Sequence, residues 1–536
     1  SGYSDNKIIG GLLPYKDAFS YYVSANLTAS GQQLSVHSIQ AARRPLFSGF
    51  VTTLLTLTGN NLRLTLAILV ALMGYTGYLV GQKIYLKFGA LSAALYLSLF
   101  FIYAQHQIGY THTETLGLIL GNLSLILLWE TVNTKKNAVL IYASFVTILA
   151  ISVRAGAFFV LPFIALWSGY FFRESKRFSW KVFCLSLLAV FISYFLISTL
   201  YSRLLVAPGD YSFGNFAYSF YGQVHGGTGW HRAIEELGTR DPKTVMDSAV
   251  QFFKTHPTSL LIGAAKSYRD FFIPGIGIFS FYGSQMNWLD QGLWVAGLFL
   301  VFRGLYLSIK NIHEGLPALL LAGFLGIFFS IPFLPPIDGG NRFYASTMPI
   351  FFALVAFATS TQRKEVFPEK SQRQTHHYIL FSGVLALGTV VFPILVFYLT
   401  PQPTFTMPSC PAKQVPYAIQ VHPASHIDLL PPHHENSIIC NNLSLLCLEE
   451  FHNNGVERNI DLLFQELVIQ AKDSPTRIFA ANNLVPEGRS HFFISPTEEL
   501  NTISPRTTIT GCATELTLVE LKNRPILYRI ESVIVP

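Results

Sequence analysis

The sequence predicts an all-α polytopic membrane bundle followed by a small soluble α+β domain. Three observations carry this. Over 536 residues the chain is 51% hydrophobic and only 12% charged, against about 25% charged in soluble domains. Ten apolar stretches, most of about 17–20 residues, recur between positions 62 and 399, long enough to cross a hydrocarbon core of about 30 Å as helices. Beyond Thr400 the apolar runs give way to a Pro-rich bridge and short β-like runs.

The spans are expected at 62–81, 88–105, 115–131, 137–153, 155–172, 182–201, 291–307, 316–333, 345–358 and 378–399. Lys and Arg are retained on the cytoplasmic side of a membrane. Alternate loops carry Lys83 and Lys87, Lys135 and Lys136, Arg173 to Lys181, Arg303 and Lys310, and Arg363 to Arg373. The intervening short turns hold chiefly Arg154 and Arg342. This phase puts three segments outside a plasma (inner) membrane: 1–61, 202–290 and 401–536. An outward first loop needs something to carry it across, and no signal peptide is visible, so an eleventh span ahead of Ser1 is expected. The net charge of +7 is then mainly a topology signal, and no nucleic-acid partner is implied.

Three regions follow. Residues 1–61 form a first outer loop with amphipathic helices, in which Asp17 lies among Tyr15, Phe19, Tyr21 and Tyr22. Residues 62–400 form the membrane domain, including the outer loop 202–290. Residues 401–536 form the soluble domain, with β-like runs at 516–521 and 525–530 and one amphipathic helix expected over 460–472. Four of the five cysteines (Cys410, Cys440, Cys447, Cys512) lie there and Cys184 lies in a span. Exported cysteines can pair as two disulfides in three ways or remain as buried thiols. His433 and His434 lack any Cys-x-x-Cys companion for a zinc site.

The ionisable groups gather at the outer mouths of the spans. His112 and Glu114 open a membrane helix, where both are costly unless a polar cavity receives them; a favourable helix dipole accounts for Glu114 alone. Arg43-Arg44-Pro45 suits a phosphate clamp through bidentate hydrogen bonds, or equally headgroup binding. Lys266, Arg269 and Arg342 are further cations on this face. Tyr221, His225, Trp230 and His231 surround Gly226-Gly227 as a candidate substrate loop. Walker, dinucleotide, zincin and Gly-x-Ser-x-Gly patterns are absent from the sequence. Nucleotide sugars are cytosolic, so an outer-face site would use a donor with its own lipid carrier.

Asp17 with Tyr21-Tyr22, then Arg43-Arg44-Pro45-Leu46 leading to Leu55, Leu57, Thr58 and Gly59, resembles the first outer loop of GT-C glycosyltransferases. The likeness is closest to the protein-mannosyltransferase and lipid A aminoarabinose-transferase branch. Thr113-Glu114-Thr115, Val153-Arg154-Ala155-Gly156 with Leu161-Pro162, and Arg342-Phe343 with Pro349 are similar to later landmarks in the same order. The resemblance runs from about Tyr15 to Thr359. It implies an inverting transferase moving a sugar from a polyprenyl-phosphate donor to a lipid, glycan or protein acceptor. Asp17 would be the general base, Glu114 with His112 would orient acceptor or leaving group, and Arg43 or Arg44 would stabilise the departing phosphate. The family often has an acidic pair where this chain has His-Thr-Glu, which leaves a divalent metal open.

The main alternative is a lipid or sugar transporter or flippase; an O-antigen ligase or polymerase is another. Transporters usually place ionisable groups near the midplane, whereas these spans are nearly free of charge. An oligosaccharyltransferase is disfavoured because the tail lacks Trp-Trp-Asp. The charge alternation yields a direct test. A cysteine placed near Gly227 should react with a membrane-impermeant reagent added outside, and one placed at Asn137 should not; the reverse pattern would invert the topology.

Overall fold

In the computed structural model the described residues are 7–9, 13–14, 17–33, 44–105, 107–154, 156–173, 177–206, 216–239, 241–273, 288–338, 340–360, 371–401, 404–420, 476–480, 482–485, 491–496, 508–516 and 526–534. A short hairpin pairs β1 (Lys7–Ile9) with β2 (Leu13–Pro14). The helices that follow are α1 (Asp17–Ala29), α2 (Pro45–Leu57), α3 (Leu62–Phe88), α4 (Ala90–Ala104), α5 (Thr113–Thr134), α6 (Asn137–Val153), α7 (Val160–Phe171) and α8 (Trp180–Leu204). A group of shorter helices comes next: α9 (Phe216–Val224), α10 (His231–Leu237), α11 (Pro242–Thr255) and α12 (Pro257–Phe272). The bundle is completed by α13 (Trp288–Lys310), α14 (Gly315–Ser330), α15 (Met348–Phe357), α16 (Ser371–Val390) and α17 (Phe392–Leu399). Among the described residues six helical stretches are long and apolar enough to cross a membrane, and shorter apolar helices accompany them.

The first outer segment departs from the amphipathic expectation. Helix α1 buries Phe19, Tyr21, Tyr22 and every residue from Val23 to Ala29, and α2 buries Pro45 through Leu55. The apolar residues of 17–29 are too many for one stripe, so the helix sits inside the fold rather than at an interface. The Thr52 hydroxyl donates to the Ala25 carbonyl at 3.1 Å and pins α2 to α1.

Helix α5 is the central element, with nearly its whole length buried. Its Gly121 faces the turn before α15, where a Cβ would lie 2.3 Å from the Ser346 carbonyl oxygen; only glycine allows that approach. Asn122 donates to Thr76 at 3.3 Å and accepts from the Tyr96 hydroxyl at 2.6 Å, so an amide deep in the bundle is satisfied. At the far end Glu130 receives Lys83, Thr375 and Asn133. This pairing explains why α3 runs to Phe88 instead of ending at Gly81: Lys83 is a partner inside the helix rather than a loop cation. Pro393 breaks the final span into α16 and α17. Helices α8 and α13 are peripheral and turn Phe191, Phe195, Phe299 and Phe302 outward. Cys184, a free thiol, is exposed on α8.

The tail forms a six-stranded sheet in the order β4-β6-β8-β7-β3-β5. Its strands are β3 (Val415–Gln420), β4 (Thr476–Ala480), β5 (Asn482–Val485), β6 (His491–Pro496), β7 (Thr508–Leu516) and β8 (Ile526–Ile534). All pairings are antiparallel except β6 with β8. The run expected at 516–521 shares only Leu516 with β7, its other residues lying outside the described ones, and the run expected at 525–530 falls from position 526 onward in β8, which continues to Ile534. The helix expected over 460–472, His433, His434, Cys440 and Cys447 lie outside the described residues. Cys410 and Cys512 form a disulfide closing a separation of 102 residues. A loop of that length removes much denatured-chain entropy, so Cys512→Ala should destabilise the tail by about 2–5 kcal/mol. Limited proteolysis of the variant should cut the tail faster while leaving the bundle fragments unchanged.

Candidate functional site

Four charged side chains meet where α5 begins. His112 occupies the extended N-cap position of α5 without making a side-chain cap, and Glu114 sits in the first turn, almost wholly buried. Burying an ionised carboxylate requires partners. Arg342 Nε donates to Glu114 Oε1 at 2.7 Å, Arg154 Nη2 lies 3.4 Å from the same oxygen, and the Thr113 hydroxyl donates to Oε2 at 3.1 Å. Arg154 ends α6 in extended conformation, packs over the Phe343 ring at 4.8 Å and donates to the Arg342 carbonyl at 3.4 Å.

Asp17 reaches this group from α1. The Thr111 hydroxyl donates to the Ala18 carbonyl at 2.6 Å, tying the segment before α5 to the first turn of α1. Arg342 Nη2 then stands 3.8 Å from Asp17 Oδ2, with both side chains about 40% exposed, 39% for the arginine and 41% for the aspartate. Solvent screens that pair, so it holds the fold only weakly. One arginine therefore joins a buried carboxylate to a solvent-facing one. Tyr21, beside them, titrates far above the usual phenol range because of burial, with Asp17 adding to the rise and Arg44 and Arg154 opposing it. Arg44 is buried at the head of α2 and belongs to the same electrostatic neighbourhood. Among Asp17, Glu114, Arg44, Arg154 and Arg342, three guanidiniums face two carboxylates.

His112 is half-buried beside Tyr110, and its Nδ1 is shielded without a hydrogen-bond partner among the described residues. Burial pushes its pKa below the ordinary value; Glu114 and Asp17 pull upward, and Arg342 and Arg154 reinforce the fall.

The other candidate residues distribute differently. Arg43 lies outside the described residues. Lys266 donates to the Gly226 carbonyl at 2.7 Å, and Arg269 pairs with neighbouring Asp270 at 2.7 Å. Both serve the α9–α12 unit instead of meeting Arg342, because each has a nearer acceptor within its own helices. Tyr221 and His225 are likewise internal to that unit. The Tyr221 hydroxyl donates to Glu236 at 2.7 Å, and His225 Nδ1 donates to the Tyr221 carbonyl at 2.8 Å. The two rings continue a stack through Phe252 to His256, with centroids 4.1, 3.8 and 4.6 Å apart. In the candidate loop Trp230, half-buried, and His231, exposed, are stacked on each other at 3.6 Å.

Arg342, expected among the phosphate-binding cations, bridges the two carboxylates. Arg154 and Thr113 are site residues to which sequence reasoning gave no role. The signal for Arg154 was present: it is the only charge between Asn137 and Phe172. Among the described residues no three His, Cys, Asp or Glu side chains are grouped to hold a metal ion; the Glu114 oxygens are occupied by arginine and threonine donors.

Removing Glu114 strands two guanidiniums, so Glu114→Ala should cost about 3–5 kcal/mol, visible as a lower thermal unfolding temperature in detergent, with Glu114→Gln less affected. The His112 contribution has a definite sign. Its folded pKa is depressed, so its stabilising share is present above about pH 6.5 and is lost as pH falls through the depressed value. His112→Asn should flatten that acid limb of the stability profile.

Comparisons with protein families, with curated proteins and with solved structures found no match to this chain.

Proposed function

We propose that this membrane protein is an inverting glycosyltransferase of the GT-C kind, working at the extracytoplasmic face of the plasma membrane. It moves a sugar from a polyprenyl-phosphate donor to a lipid, glycan or protein acceptor. The observation that carries this reading is the half-exposed Asp17 carboxylate held by Arg342 over buried Glu114. A base must be reachable by substrate, and of the two carboxylates Asp17 is the one that faces solvent.

In the proposed step the acceptor oxygen attacks the anomeric carbon while its proton passes to the Asp17 carboxylate. The bond from that carbon to the lipid phosphate oxygen breaks on the opposite face, and the phosphate departs as an anion. The arginine excess around the site suits that leaving group, with Arg44 and the outward side of Arg342 as the electrostatic partners. Glu114 acts through Arg342, setting its direction and leaving its second nitrogen turned toward Asp17 and solvent.

The test uses purified protein in nanodiscs with a radiolabelled polyprenyl-phosphate hexose. Asp17→Asn keeps the volume and removes the base, so transfer should fall by about 10²–10⁴-fold with normal folding. Arg44→Ala should weaken donor binding by about 10–150-fold, the loss of one charge-assisted hydrogen bond. Transfer by Asp17→Asn at near wild-type rate would sink the assignment. Movement of labelled lipid across liposomes without any acceptor would install the transporter reading in its place.

A further inference from the structure

Asp338 makes none of the contacts that assemble the Arg342 site, yet it joins two parts of the chain 108 positions apart. Its Oδ1 accepts the Trp230 backbone N–H at 2.7 Å. The turn it captures is made of glycines with positive φ, Gly226 at 78°, Gly227 at 73° and Gly229 at 86°, a conformation that side chains with a Cβ rarely adopt. At Gly229 a Cβ would also come within 3.3 Å of the same Asp338 oxygen. The turn is therefore shaped to admit the carboxylate.

The other oxygen, Oδ2, is shielded from solvent with no hydrogen-bond partner among the described residues. Burial raises the carboxyl above its ordinary range, while Ser219, Trp230 and His231 pull the other way. A half-satisfied buried carboxylate is unfavourable as pure scaffolding. Its position supplies the explanation. Asp338 closes one 3-10 turn, Pro336–Asp338, and Arg342 lies in the next, Gly340–Tyr344. The segment that aims Arg342 at Glu114 and Asp17 thus also carries the clasp for Trp230 and His231.

We infer that Asp338 is a positioning residue that holds the stacked Trp230–His231 pair beside the Arg342 turn, where the pair forms the surface on which the donor's sugar ring lies. The apolar C–H face of a hexose suits an aromatic ring plane, and the lipid phosphate would then point toward the arginines. This inference rests on the glycosyl-transfer reading for its ligand and on geometry alone for the clasp.

The experiment compares the full chain with Asp338→Ala and Asp338→Asn in nanodiscs. Hydrogen exchange is followed across 226–232, and kcat and KM are measured with the polyprenyl-phosphate hexose. Asp338→Ala should speed exchange at Trp230 about tenfold or more, with 242–255 and 113–134 unchanged. It should raise KM about tenfold with kcat within about twofold. Asp338→Asn keeps an oxygen acceptor and should bring both readouts back toward wild type. Unchanged exchange in Asp338→Ala overturns the clasp, and faster exchange throughout the protein assigns Asp338 to folding and overturns it too. Local loosening with unchanged KM removes the positioning role. If the wild-type chain transfers no sugar from this donor, the glycosyl-transfer reading falls while the exchange data still decide whether Asp338 holds the turn.

Discussion

A buried carboxylate at the start of an apolar helix has to be neutralised, and the upper part of this bundle is arranged around that demand. Glu114 cannot stay ionised among apolar helices without Arg342 and Arg154. Meeting it obliges α6 to end in an extended residue and the chain before α15 to run as short 3-10 turns, since a continuous helix would aim Arg342 elsewhere. The Thr111 tether then draws α1 to the same place, and Asp17 arrives beside Arg342 as a consequence. The exposed carboxylate is located by the buried one.

The α9–α12 unit follows a different logic. It carries its own small core around Tyr218, Tyr221, Val224, Val245 and Ala249 and satisfies most of its polar groups internally. Helix α11 is started by Asp241, whose side chain accepts from Lys243 and Thr244 ahead of the first-turn proline. Close approach to α9 is permitted by Gly263, where a Cβ would meet the Gln223 carbonyl oxygen at 2.4 Å. The unit is joined to the bundle through α12, whose Phe271 is buried in the main core with its ring 5.3 Å from that of Tyr344, and through Asp338, which accepts the Trp230 N–H.

Much of this was legible in the sequence, and the limits have physical causes. Apolar length located a helix at each expected span, to within a few residues at most ends, because in a bilayer the backbone leaves helix as the available form; among the described residues six of these are long and apolar enough to cross a membrane and the others are shorter. It missed α2, since an apolar helix of 13 residues is too short to register as a span, and it set the end of α3 too early by reading Lys83 as a loop residue. Asp17 was visible as a carboxylate in the first outer loop and Glu114 and Arg342 as charges at span ends, but the convergence of both carboxylates on Arg342 depends on tertiary packing that no spacing encodes. Tyr221 and His225 looked functional by type and proved internal, because aromatic residues near glycines serve packing as readily as recognition. The Cys410–Cys512 pairing was one of several that counting allowed.

The two ends of α5 have a further consequence. Glu114 and Glu130 are sixteen positions apart on one helix, which at 1.5 Å per residue is about 24 Å, against a hydrocarbon core of about 30 Å. Both carboxylates are clamped to cations from other helices, so neither can slide outward to suit a thicker bilayer. Helix α5 is enclosed by the bundle, so lipid does not meet these ionic ends directly, and the spacing of the two carboxylates is fixed by the protein's own packing rather than by the thickness of the bilayer around it.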